Sequence, residues 1–127
     1  MNQEIKRQMK QMWFEIEQKW AEEQKTFEAL LVNEDFLDED GYPTEDALTI
    51  IELWPSFDSS GWFEFIRDRW YLAGWGWSKV GSEYHISTGG WSGNESIIVA
   101  MQNNWILWSA CWVQSNRSGH YIFEERE

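Results

Sequence analysis

The chain has 127 residues, 43% of them hydrophobic, with 11 Trp, a single Cys and a formal net charge of −12. One domain of this length buries roughly two thirds of its unfolded surface and needs no covalent staple, while a lone cysteine excludes an internal disulfide and a Cys-based zinc site. The acidity argues against direct binding to nucleic-acid phosphates, and the lack of any run of about 18 apolar residues argues against a membrane span.

The opening MNQEIKRQMK has no apolar leader region, so the expected compartment is the cytoplasm. Charge is uneven: residues 1–53 hold 5 Lys/Arg against 14 Asp/Glu, and residues 54–127 hold 5 against 8. Such a surface supports solubility, and it also steers toward basic protein surfaces, including those that normally hold DNA or RNA.

Ile5, Met9, Trp13, Ile16, Trp20, Phe27 and Leu30 or Leu31 recur near every 3.5 residues, so a helix is expected over about 3–32. Glu23 interrupts the stripe. A helix of that length reaches about 45 Å, more than a small body needs. Its first half either overhangs the core and takes a partner, or folds back on the domain. Overhang would leave 43–127 as the compact core of a single domain, and one reading then pairs two copies through the helix.

NEDFLDEDGYP, residues 33–43, reads as an acidic loop. It fails as a calcium loop: with Gly41 at the sixth position, Phe36 and Ala47 stand where the first and last carboxylates must be. Thr44 caps the next helix, whose apolar face is Ala47, Ile50, Ile51 and Trp54, with Pro55 ending it. Residues 61–72 suit a third helix, with Trp62, Phe65, Ile66 and Arg69 on one face, or a strand rich in aromatics.

From Trp75 the period changes to two. Trp75, Trp77 and Lys79, then Gly81-Ser82, then Tyr84, Ile86 and Thr88 read as a hairpin. Ser92 as N-cap with Glu95 three residues on forms a capping-box pattern for a helix carrying Ile97, Ile98 and Met101. WILWSACWV, 105–113, is apolar on both faces, as a central strand would be, and Tyr121–Glu124 reads as a last strand. The expected fold is therefore α+β, in the order α-α-α-β-β-α-β-β: a long N-terminal helix and short helices packed on a small, mostly antiparallel four-stranded sheet.

HISTGGWSGNE, 85–95, places three glycines between a strand and a helix start. Free N–H groups there can hold an anion, or the segment is only a turn and a cap. It is neither a Walker loop nor a dinucleotide fingerprint. Thr88, Gly89, Gly90, Trp91, Ser92, Gly93 and Asn94, joined by Arg117 and His120 if the last hairpin reaches them, form the candidate ligand site. Trp13, Trp20, Asp35, Asp38, Glu39 and Asp40 form the candidate partner-binding set, indoles as anchors and carboxylates for steering. His85 and His120 with Glu95 and Asp68 lack the spacing of a metal site, the serines lack a nucleophile elbow, and Cys111 sits among apolar neighbours. No metal, cofactor or catalytic set is expected.

LDEDGYPTEDAL (37–48), HISTGGWSGNESII (85–98) and NNWILWSACWVQSNRSGHYIFE (103–124) together resemble small proteins encoded by phages, prophages and other mobile elements. In those, a GYPT helix start precedes an STGGWSGNE loop, and the chain closes on a basic, glycine-rich turn before an HYxF-type strand. The resemblance brings no catalytic residue with it, and here the closing turn holds one basic residue, Arg117. The resemblance brings no activity of its own; with the acidic first half for steering and the Trp residues as anchors, the expected function is a phage-type accessory protein that binds and inhibits or modulates a host protein, as a counter-defence factor or a nucleic-acid mimic on a nucleic-acid-binding enzyme would. The alternatives are a small module holding a nucleotide or other anion in the glycine–tryptophan loop, and a self-associating structural protein.

Overall fold

Six helices and one four-stranded antiparallel sheet make up the described residues, 2–126, of the computed structural model. Asn2 caps α1 (Gln3–Asn33), accepting the Ile5 N–H at 2.8 Å, and the helix stops where Glu34 turns left-handed. The apolar stripe lies along α1 as the sequence implies, yet Phe27 alone is buried, with Leu30 and Leu31 packed against the core. Upstream, Ile5, Met9, Met12, Trp13, Phe14 and Trp20 are 41–61% exposed. The helix therefore overhangs rather than folding back.

The acidic loop closes on itself. Asp38 Oδ1 accepts the N–H groups of Asp40 and Tyr42, both at 2.9 Å, so this carboxylate shapes a turn instead of facing a cation. Thr44 caps α2 (Glu45–Leu53). Asp58 caps α3 (Ser59–Arg69), which settles the helix-or-strand question for this segment. Its Trp62 is fully buried and donates its indole N–H to Ile51 O at 3.0 Å. A buried indole removes about 150–250 Å² from water and satisfies its one donor at no further cost.

Leu72, at φ 56°, opens the single turn α4 (Ala73–Gly76). Trp75 thus belongs to a helical turn, not to the hairpin as its alternation suggested; its N–H bonds Leu72 O at 2.9 Å. The hairpin itself is β1 (Trp77–Val80) and β2 (Glu83–Ser87). After the glycine loop comes α5 (Ser92–Asn103), then α6 (Trp105–Cys111), β3 (Trp112–Asn116) and β4 (His120–Glu124).

The strand expected over 105–113 starts only at Trp112 and lies at an edge of the sheet, not at its centre, because Trp105–Cys111 is helical. Asn104 breaks α5 and caps α6, its side chain accepting Leu107 N–H and donating to the carbonyls of Ile51 and Trp54, both at 3.1 Å. Leu107 and Cys111, one turn apart, face the core. Trp105, Ile106, Trp112 and Val113 are 43–70% exposed. The segment is apolar all round because half of it faces solvent, not because it is covered on two sides.

Sheet order is β1-β2-β4-β3, which puts β3 at an edge. Tyr84, Ile86, Tyr121 and Phe123 share the inner face by register, and Phe63 of α3 stacks on Tyr84 with centroids 4.3 Å apart. Apart from the two short helices α4 and α6, the order of elements is the one the sequence implies. No helix among the described residues is long and apolar enough to cross a membrane.

Candidate functional site

The glycine loop and the acidic loop, read from sequence as separate features, meet in one cleft. Its cavity is about 180 Å³, lined by Tyr42 and Pro43 from the acidic loop, Arg69 and Tyr71 from the end of α3, and Trp91 and Asn94 from the start of α5, with Asp40 at the rim. Gly93 makes the junction possible: a Cβ there would stand 2.8 Å from the Tyr42 ring. Around the mouth, Tyr71–Trp91 and Trp75–Trp91 pack edge-to-face at 5.0 and 6.0 Å. Tyr42, Tyr71 and Trp75 are 45–68% exposed, so three large aromatic side chains from two separate segments crowd one opening with Trp91.

A buried amide holds this arrangement. Asn94, 1% exposed, accepts the Tyr71 N–H at 2.9 Å and donates to Tyr71 O at 3.1 Å and Thr88 O at 3.2 Å. Thr88, also buried, gives its hydroxyl proton to Glu95 at 2.9 Å, accepts Gly90 N–H, and donates its own N–H to Gly119 O at 3.0 Å. The last hairpin therefore does reach the glycine loop, at Gly119, whose backbone presses so close that a Cβ would sit 2.2 Å from Thr88 Oγ1.

Glu95 is taken by Thr88, so the capping box is not made; Trp91 is the N-cap of α5, without a side-chain cap bond, and Ser92 is already helical and exposed. Gly89 and Gly90 are exposed at the tip, and Arg117 is exposed at the turn and outside the cleft lining. His120 faces the opposite side of the sheet, 2.9 Å from Ser87 Oγ. Of the nine candidate ligand residues, Trp91, Gly93 and Asn94 line the cleft. Thr88 is committed beneath it.

Arg69 is the residue the sequence undervalued. Its guanidinium lies over Phe36 at 4.6 Å and Phe65 at 4.3 Å, its side chain is 15% exposed, and its Nε has no hydrogen-bond partner. Burial pushes it below its ordinary basicity while Asp68, 3.7 Å away, pulls it back, so it keeps its charge at neutral pH. An arginine sharing the apolar face of α3 with Trp62, Phe65 and Ile66 was the available signal.

The chain matches no protein-family model, no curated protein and no solved structure. Chemistry must then be read from the groups themselves. His85 and His120 do adjoin, with centroids 5.9 Å apart, but the nearest carboxylate is Glu83, 2.7 Å from His85, while Asp68 and Glu95 are engaged elsewhere. The described residues include no group of three or more potential metal-ligating side chains. Cys111 is buried, and burial raises its thiol, so the thiolate needed for attack is suppressed. Burial, then the hydrogen bond to Glu125, raises Tyr84 likewise.

The partner-binding set divides. Asp40 sits at the cleft and Asp38 shapes its turn, but Trp20 lies about 20 Å further up α1 and Trp13 about 30 Å, at 1.5 Å per residue. Asp35 and Glu39 are exposed beside the cleft's acidic turn.

Asn94→Asp keeps the shape but aims a carboxylate at two carbonyls. It is expected to cost roughly 3 kcal/mol in urea denaturation at neutral pH. A carboxyl so buried has a raised pKa when folded, so the deficit shrinks as pH falls and the acid regains one O–H donor. A deficit below 1 kcal/mol (roughly the cost of one ordinary hydrogen bond), or one unchanged by acidification, would contradict the clamp.

Proposed function

We propose that this is a binding protein that docks on another protein through the aromatic cleft, with the acidic turn steering the approach. The observation that carries the reading is the meeting of Tyr42, Tyr71 and Trp91, with Trp75 packed on Trp91, around an opening that Asp40 also lines. Aromatic side chains dominate interface energetics when a partner desolvates them, and a contiguous exposed set is unusual unless something covers it. The net charge of −12 favours a basic partner, such as a protein that handles nucleic acid. The resemblance to mobile-element proteins makes a host protein in the bacterial cytoplasm the natural target, and inhibition or modulation the natural outcome.

Capture from a bacterial lysate, with the native chain and with Tyr71→Ser/Trp75→Ser in parallel, tests this. Loss of an anchoring aromatic costs about 2 kcal/mol or more, roughly thirtyfold in affinity, so the variant is expected to lose the specific partner. Raising salt is expected to weaken what the native chain captures. Retention of the same partner by the variant, at equal strength, would remove the cleft from the account.

One observation favours a second reading. Arg69 Nε is buried without a partner beside a cavity the size of a single ring. A small anion, carboxylate or phosphate, would pair with the charge of Arg69, which lines the cavity; a whole nucleotide is too large for about 180 Å³. Under this reading, phosphate or benzoate gives a calorimetric signal that Arg69→Gln abolishes; no heat with either ion leaves only the protein partner.

A further inference from the structure

The overhanging part of α1 is a second, separate surface. Its positions fall on a heptad in which Lys6, Trp13, Trp20 and Phe27 take one seam position and Met9, Ile16, Glu23 and Leu30 the other. Phe27 and Leu30 pack against the chain's own core. The same stripe continues unpaired through Trp20, Trp13 and Met9, all 41–61% exposed. Half of one seam is thus filled internally and half is open.

We propose that the open half is covered by a second copy of this chain, running antiparallel. The charges choose both the occupant and the direction. Residues 1–12 carry Lys6, Arg7 and Lys10 against Glu4 alone, whereas 15–28 carry five Glu against two Lys. An antiparallel pair lays the basic end of each helix on the acidic stretch of the other. Within that register Met9 meets the partner's Trp20, and Trp13 meets the partner's Ile16. The layer beyond them sets Lys6 against the partner's Glu23, so the one interruption in the apolar stripe finds a complementary charge. The flanking positions set Lys10 against the partner's Glu17, twice by symmetry.

A parallel pair does the opposite. It stacks Lys6 on Lys6 and Glu23 on Glu23, and it leaves Lys10 and Glu17 facing Ile5 and Met12. The body of the protein also receives the antiparallel partner. Near the middle of α1 a groove of about 550 Å³ runs between Ile16 and Trp20 on one side and Trp54, Trp105 and Ile106 on the other. Its rim carries Glu23 and Glu52, suited to the basic first turns of the partner. The groove also gives the exposed Trp105 and Ile106 a use that the cleft does not. Phe14 lies outside the seam.

The test is the oligomeric state of the full chain by light scattering and sedimentation, with charge swaps at two exposed positions that leave the fold alone. The native chain is expected at twice 15.2 kDa at micromolar concentration. Lys10→Glu and Glu17→Lys alone are each expected to weaken the dimer about tenfold, and together to restore it. Seven residues apart on one helix, the two cannot rescue each other within a single chain. A monomeric native chain overturns the proposal, as does a dimer that the single swaps leave intact or the double swap fails to restore. Either result leaves the cleft untouched, since neither position lines it.

Discussion

Three hydrogen bonds made by one buried side chain set the geometry on which the aromatic cleft depends. The Asn94 amide closes a ring with the Tyr71 backbone and adds the Thr88 carbonyl, thereby tying the exit of α3, the end of β2 and the start of α5. An amide suits the place because it offers an acceptor and two donors from one planar group, and every one of them is used. In a site excluded from water an unmatched group would cost more than a matched one contributes, so the ring is stable only when complete. Tyr71, Leu72, Trp75 and Trp91 inherit their positions from it. Without the clamp they would be loop aromatics free to collapse on one another.

The molecule carries two unsatisfied apolar surfaces, and they are far apart. The cleft adjoins the loop after α1, whereas the open seam begins at Trp20, some 20 Å back along the helix at 1.5 Å per residue. Self-association through the seam would therefore leave both clefts open, and a dimer would present two of them. Two linked sites raise the strength of binding to a repetitive or dimeric target without any new contact. Acidity serves both surfaces. In the two proposals it would steer a basic partner to the cleft and, by being concentrated in the later part of α1, would set the direction of pairing at the seam.

Much of this was legible from the residues, because the relevant signals are local. The 3.5-residue stripe, the Thr44 cap and the Gly81-Ser82 turn act within a few positions, and the elements they imply are present. The errors share a cause. WILWSACWV implies cover on two faces, but apolarity alone does not distinguish burial from exposure, and here exposed Trp105 and Trp112 supply the pattern. Ser92 and Glu95 fit a capping box by spacing; Thr88 drew Glu95 away through a bond seven residues back. Arg69, Tyr42 and Tyr71 stand far apart in sequence, and only the tertiary fold brings them to one cavity. The loop glycines permit either a positive φ or a close backbone approach, and at Gly93 it is the second: the missing Cβ leaves room for Tyr42.

Amide hydrogen exchange at Tyr71 tests the clamp most directly, because its N–H lies outside any helix or strand and is held by Asn94 alone. If the ring is the fixed point, this amide exchanges only through global opening, with protection equal to that of the β2–β4 ladder. Exchange at the rate of an ordinary turn would mean that the aromatic face is not held in place, and the cleft could no longer be treated as a preformed site.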